Sequence, residues 1–196
     1  MEQGKDHWPE TAIATGARMV DPCQVASGAA PTRLGALQPL AIDSKLRGCD
    51  LIALRVSDVA PNGYALDRAS VRQKKTGRPV RFELTEQTRQ SVDEYLHSSG
   101  RVPAQCLFPG RGESGRHFTT RQYARLVARW VSSIGLDPLK FATHSMRRTK
   151  VTLIYRRTGN LRAAQLLLGH TRIESTVRYL GVEVDDALEI AEKIDV

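Results

Sequence analysis

The heptapeptide Thr143-His144-Ser145-Met146-Arg147-Arg148-Thr149 sets a histidine and an arginine three positions apart. On a helix that is about one turn, so both side chains face the same side. An imidazole and a guanidinium so placed can share one phosphate, and the planar guanidinium can hold two of its oxygens, which a lysine ammonium cannot match in geometry. Twenty-three positions after Arg147 comes His170, in Leu168-Gly169-His170-Thr171, and nine after that comes Tyr179, in Val177-Arg178-Tyr179-Leu180. Singly, each has an ordinary structural reading. Arginines are mostly surface or ion-paired residues, and a histidine after a helix-ending glycine often only caps carbonyls.

As an ordered set, His-x-x-Arg, then Leu-Gly-His, then Tyr resembles the C-terminal signature of the tyrosine recombinases, the phage integrase family. The resemblance directs attention upstream. Lys45-Leu46-Arg47-Gly48-Cys49-Asp50-Leu51 resembles the family's first arginine motif, with an acid three residues after Arg47. Gln73-Lys74-Lys75-Thr76-Gly77 resembles the Lys-Thr-Gly form that many members show beside a β-hairpin turn. Adjacent strand residues point to opposite faces, so Lys74 and Lys75 cannot both enter one site. The match favours Lys75. The resemblance covers roughly residues 41 to 196 and implies a catalytic set of Arg47, Lys75, His144, Arg147, His170 and Tyr179.

The chemistry asked of these residues follows from charge. A phosphodiester in line with an attacking phenol develops charge on its oxygens, and fixed cations aimed there stabilise it without reorganising. Arg47 and Arg147 fit that task. A phenol with a pKa of about 10 is a weak nucleophile at neutral pH unless a base or nearby cations favour the phenolate. His144 is the candidate proton acceptor. The resemblance gives Lys75 the general-acid role toward the leaving 5′ oxygen and His170 a hydrogen bond to the phosphate. It also implies a 3′-phosphotyrosyl link at Tyr179 with a free 5′ hydroxyl, so that rejoining needs no ATP, metal or other cofactor.

Composition agrees with a nucleic-acid partner. The 196 residues carry a formal charge of +8, which suits phosphate neutralisation and counterion release from double-stranded DNA. The charge is uneven: residues 181 to 196 hold six acids against Lys193, leaving 28 bases and 15 acids before them, a net +13. No long apolar run or basic amphipathic segment suggests a membrane. Cys23, Cys49 and Cys106 form no CxxC pair, which argues against a disulfide framework or a zinc site. With no signal-peptide pattern in residues 1 to 30, the expected home is the reducing cytoplasm.

The elements that must position these residues read as mainly α with one small antiparallel sheet, an α+β pattern matching the tyrosine recombinase catalytic-domain fold. Residues 1 to 32 show no defensible period and are expected to be poorly ordered. A helical pattern from Leu34 to Leu46 contains Pro39, which should break or kink it and could misplace Arg47. Asp50 to Val59 reads as one short helix. Ala69, Val71, Gln73 and Lys75 would share a strand face, and Val80, Phe82 and Leu84 alternate after the turn Thr76-Gly77-Arg78-Pro79.

Thr85 can cap a helix running to about His97, with Gly100 ending it. A Gly-rich loop spans Pro103 to His117, and Thr119 or Thr120 opens a helix striped by Tyr123, Leu126, Val127, Trp130, Val131 and Ile134. Helices follow from about His144 to Arg157, from Leu161 to Leu168 with Gly169 as its stop, and from about Val184 to Ile194. Arg121, Arg125 and Arg129 form a row that is either a solvated face or a phosphate contact. Tyr64, Tyr95, Tyr123 and Tyr155 read as packing residues, and His7, His97 and His117 as surface ones.

Two units are thus expected: an atypical N-terminal segment, 1 to 40, too short for the family's separate DNA-clamping domain, and a catalytic domain, 41 to 196. The function expected is site-specific recombination or integration, of the kind mobile elements use. The C-terminal helix has two readings: it could dock on a second copy to make a homo-oligomer on DNA, or equally pack on its own domain. Two rivals share most features: a catalytically impaired, recombinase-derived DNA-binding regulator, and a relaxase of the type IB topoisomerase kind.

Overall fold

The computed structural model describes residues 33–110 and 115–181. The expected helix at 184–194 and the segment 1–32 lie outside the described residues.

Helix α1 (Arg33–Ser44) runs through Pro39 without a break. Proline inside a helix costs about 3 kcal/mol. Here Leu37 and Leu40 are fully buried, and burying each contributes about 1.5 to 3 kcal/mol, enough to offset the proline. The helix packs on α4 (Glu86–Ser99) and α6 (Thr143–Thr158). Because Ala36, Leu37, Leu40 and Ala41 share one core, the boundary drawn at residue 41 falls inside an element that belongs to the domain throughout.

The helix stops at Ser44, two residues short of the expected end, because Lys45 takes a left-handed conformation with φ 54°. Left-handed backbone disfavours a residue with a Cβ, and the lysine's contacts hold it there. Its buried Nζ donates to the Asp43 carbonyl at 2.6 Å and to Glu83 Oε1 at 2.7 Å. Lys150 bridges the same two acids, at 2.7 Å to Asp43 Oδ1 and 2.9 Å to Glu83 Oε1. Asp43 Oδ2 accepts from Thr85 N, Thr85 Oγ1 and Thr88 Oγ1. Four charges therefore tie the end of α1 to the sheet, to α4 and to α6, and fix where the next residues, including Arg47, begin.

The single helix expected over 50–59 is two short ones, α2 (Gly48–Leu51) and α3 (Val56–Val59). They are separated where Arg55 forms a β-bridge with Cys106, which draws the backbone into an extended form. The sheet is one antiparallel hairpin, β1 (Arg68–Arg72) and β2 (Pro79–Glu83), in register from Arg68 opposite Glu83 to Arg72 opposite Pro79. The strand ends before Gln73, so Lys74 and Lys75 lie in the turn and the alternation expected of them does not apply. Ala69, Val80 and Phe82 face the core.

Helix α4 starts at Thr85, whose side chain caps Thr88 N, and ends at Gly100. Helix α5 (Thr120–Ser133) starts at the Thr119 cap and buries Tyr123, Val127 and Val131, with Leu126, Trp130 and Ile134 packed beside them. Arg121, Arg125 and Arg129 all face solvent. Tyr95 and Tyr123 are buried, but Tyr64 is 76% exposed, contrary to its reading as a packing residue.

Helices α6, α7 (Leu161–Leu168) and α8 (Ile173–Leu180) close a second, smaller cluster of Val151, Ala164, Leu168 and Leu180, flanked by Tyr155, Leu161 and Tyr179. Gly169 ends α7 at φ 63°, and a Cβ there would stand 2.7 Å from Val80 Cγ2. Only glycine satisfies both the left-handed turn and that close approach of α7 to the hairpin.

Candidate active site

The two clusters meet along a cleft of about 480 Å³ lined by Arg47, His144, Arg147, Arg148, His170 and Tyr179, among others. Each comes from a different structural device. Arg47 stands at the start of α2, just beyond the charge network. His144 and Arg147 lie one turn apart near the start of α6, where Ser145 Oγ accepts from Ala142 N at 3.1 Å. His170 follows the glycine stop of α7. Tyr179 sits in the last turn of α8. Five of the six residues expected from sequence therefore converge on one space. The sixth, Lys75, is exposed in the hairpin turn and is not among the lining residues.

The contacts around these side chains are specific. Arg47 Nη1 donates to Gln73 Oε1. Arg147, 3% exposed, donates from Nη2 to the Leu168 carbonyl at 2.6 Å, so the last turn of α7 is fastened to α6 beside His170. His170 Nδ1 lies 3.1 Å from Oγ1 of the buried Thr176, which steadies the ring. The Tyr179 ring meets His170 edge-on at 5.4 Å and lies under two guanidinium groups, Arg148 at 5.4 Å and Arg147 at 5.8 Å. Its hydroxyl donates to the His144 carbonyl at 3.3 Å.

Gln73, Thr176 and Arg148 are the residues that motif reading did not place in the set. Arg148 was visible only as a charge flanking the His-x-x-Arg pair. Gln73 has a periodic signal, sharing a strand face with Ala69 and Val71, but nothing in it points to Arg47, and Thr176 has none; both contacts are set by the tertiary fold.

The electrostatics are those of a site that concentrates positive charge around partly buried groups. Burial pushes the Tyr179 phenol up to about 12, against the opposing pull of Arg147, Arg148 and Arg47. Burial also pushes His170 down to about 4, with Arg147 and Arg47 adding to it. His144 is lowered for the same reasons: burial first, then Arg147, Arg47 and Arg148. Both imidazoles are therefore neutral at pH 7, and His144 can take a proton while His170 can donate one N–H.

A stability prediction follows with a definite sign. For His170 the folded value of about 4 lies below the ordinary 6.5, so between those limits the unfolded chain binds protons that the folded one does not. The contribution of neutral His170 is complete above about pH 6.5 and is lost as the pH falls toward about 4. The melting temperature is expected to drop between pH 6.5 and 4.5, and His170→Gln should flatten part of that drop. An unchanged slope in the variant would mean that His170 does not titrate as its surroundings require.

Among the described residues no group of three or more His, Cys, Asp or Glu side chains is placed to hold a metal ion, and no helix is long and apolar enough to cross a membrane. The cleft lining brings together the cations Arg47, Arg147, Arg148 and Arg178 with hydrogen-bonding side chains, an arrangement that suits an anion.

Comparison with known proteins points the same way. The family model described as the phage integrase family matches residues 17–185. The tyrosine recombinase XerD of Caulobacter vibrioides is 30% identical over 156 residues, covering 76% of this chain and 50% of its own length. The chain thus spans about half the length of that relative. Among solved structures, XerA recombinase aligns with a TM-score of 0.73 at 20% identity, over 95% of this chain and 66% of its own. XerH site-specific recombinase, bound to palindromic difH substrate in a post-cleavage complex, aligns at 0.72 and 18%, over 94% and 53%. At these identities the likeness speaks for the fold.

Proposed function

The chain belongs to the phage integrase family, and from that premise we propose that it is a site-specific DNA recombinase or integrase acting through a 3′-phosphotyrosyl intermediate at Tyr179. The observation that carries this reading is the convergence of Arg47, His144, Arg147, His170 and Tyr179 on one cleft. In the proposed reaction the Tyr179 oxygen attacks phosphorus, the phenol proton passes to neutral His144, and the bond to the 5′ oxygen breaks. That oxygen takes a proton from Lys75. One phosphodiester replaces another, so the reverse step can rejoin strands with no external energy source. Arg47 and Arg147 hold the non-bridging oxygens as charge builds on them, and His170 adds a hydrogen bond.

Lys75 must reach the leaving oxygen from the hairpin turn, which requires the turn to settle on bound DNA. The catalytic domain, with α1 as part of it, supplies this chemistry in our reading, with double-stranded DNA as substrate and a second copy engaged through the residues beyond 181. The exposure of Lys75, together with a tyrosine hydroxyl resting on a backbone carbonyl, favours one other reading: a DNA-binding regulator derived from a recombinase and impaired in cleavage.

Both readings predict binding to duplex DNA that weakens steeply with salt. Only the first predicts a covalent product. Incubation with nicked duplexes taken from the DNA flanking the gene should yield a denaturant-resistant adduct whose proteolytic peptide carries the nucleotide on Tyr179. Salt-sensitive binding with no adduct on any duplex of the panel would favour the regulator.

A further inference from the structure

We propose that Gln73 is a positioning residue: its side-chain amide seats the Arg47 guanidinium in the cleft and ties it to the hairpin turn that carries Lys75. The inference rests on the roles given above to Arg47 and Lys75. Gln73 directly follows β1 and is 1% exposed. Its Oε1 accepts from Arg47 Nη1 and, at 2.9 Å, from Thr76 Oγ1. Two donors thus meet on one carbonyl oxygen and use both of its lone pairs. The backbone of the same residue closes the turn, with Gln73 N donating to the Arg78 carbonyl at 2.9 Å and Gly77 N donating to the Gln73 carbonyl at 2.8 Å.

The other end of the amide makes the case for function over packing. Gln73 Nε2 is buried and has no hydrogen-bond partner among the described residues, and it lies 3.2 Å from where a Cβ on Gly169 would be. An apolar side chain of similar size would fill that space without burying an unpaired N–H. What an apolar residue cannot supply is the acceptor that Arg47 and Thr76 share. A carboxylate would bind Arg47 more tightly but would cancel the charge that a phosphate needs to meet. A neutral amide orients the guanidinium and leaves its charge intact.

A second tether runs beside the first. Lys74 N donates to Oδ1 of the buried Asp50, three residues after Arg47, at 2.9 Å. The base of the turn is therefore fixed to α2 at two adjacent residues, while Lys75, Thr76, Gly77 and Arg78 beyond it are exposed. A phosphate strand that pulls the turn into place moves Gln73 with it, and Arg47 follows. Seating of the candidate general acid and of the first arginine become one event.

A double-mutant cycle on the nicked-duplex cleavage rate, at saturating DNA, tests this. Gln73→Ala is expected to slow cleavage by about 10- to 100-fold, the scale of a misplaced phosphate contact. In an Arg47→Lys background the same change should cost less than about threefold, since the partner it positions is gone. Multiplicative losses would overturn the proposal and leave Gln73 with a packing role alone.

Gln73→Glu adds an arm that separates stability from function. It should melt no lower than Gln73→Ala yet cleave no faster, and a Glu variant cleaving at the wild-type rate would also overturn the proposal. The same cycle read as affinity for nicked duplex in a Tyr179→Phe background involves no chemistry. If the wild type forms no adduct, the proposed reaction fails. The affinity cycle then decides Gln73 by itself: coupling to Arg47 supports it and independence rejects it.

Discussion

A Tyr179→Phe chain is expected to bind nicked duplex within about twofold of the wild type and to form no adduct, a loss of at least about 10⁴-fold and bounded only by detection. The expectation of unchanged binding comes from what the ring does. Arg147 and Arg148 lie over its face and His170 meets its edge, and all three contacts survive in phenylalanine. Only the hydrogen bond to the His144 carbonyl is lost, and at 3.3 Å on the exposed side of the cleft it contributes no more than about 1 kcal/mol. The chemistry has no such reserve, because the attacking oxygen is gone. An adduct that persists in the phenylalanine chain would place the nucleophile elsewhere. Ser175, which also lines the cleft, would be the first residue to examine.

Much of this site was legible in the sequence because local rules governed its frame. The threonine caps at 85 and 119 and the glycine stops at 100 and 169, with φ 61° and 63° at the stops, fix where three helices begin or end. The stop at Gly169 in turn decides where His170 stands. Helix α6 shows the limit of periodicity. Its buried face includes Ser145, Arg147, Thr149 and Thr152 beside Met146 and Val151, so an apolar stripe could not have revealed which side turns inward. There the motif carried the reading.

The parts that stayed hidden depend on contacts between distant residues. Lys150 reaches Asp43 across 107 positions and Lys45 reaches Glu83 across 38. No window of the sequence contains both partners, so neither the left-handed lysine nor the early end of α1 could be foreseen. The same holds for Pro39, where burial of two leucines outweighs a local rule. For Lys75 the motif points to a hairpin turn, where the structure has it, but strand alternation does not extend past Arg72, where pairing ends. The turn sets its direction, and it is exposed outside the cleft lining.

Arg147 is expected to show the largest separation between stability and activity. It is nearly fully buried, among the described residues its Nε has no hydrogen-bond partner, and its Nη2 fastens the Leu168 carbonyl. Burying a guanidinium is costly, and replacing such a charge with an apolar residue of similar volume is often neutral or stabilising by about 1 to 4 kcal/mol. Against that stands the orphaned carbonyl, at about 1 to 3 kcal/mol. The two nearly cancel, so Arg147→Met should melt close to the wild type. Cleavage should nonetheless fall by about 10²- to 10³-fold or more, the loss expected when a preorganised donor is removed from developing charge. Arg147→Lys keeps a charge but cannot donate to Leu168 and grip two phosphate oxygens at once, so it should lose about 100-fold. Melting curves and single-turnover cleavage on the same preparations give both readings. A Met variant that cleaves at more than a tenth of the wild-type rate would remove Arg147 from the phosphate, and the cation at the centre of the cleft would then be serving only to hold α7 against α6.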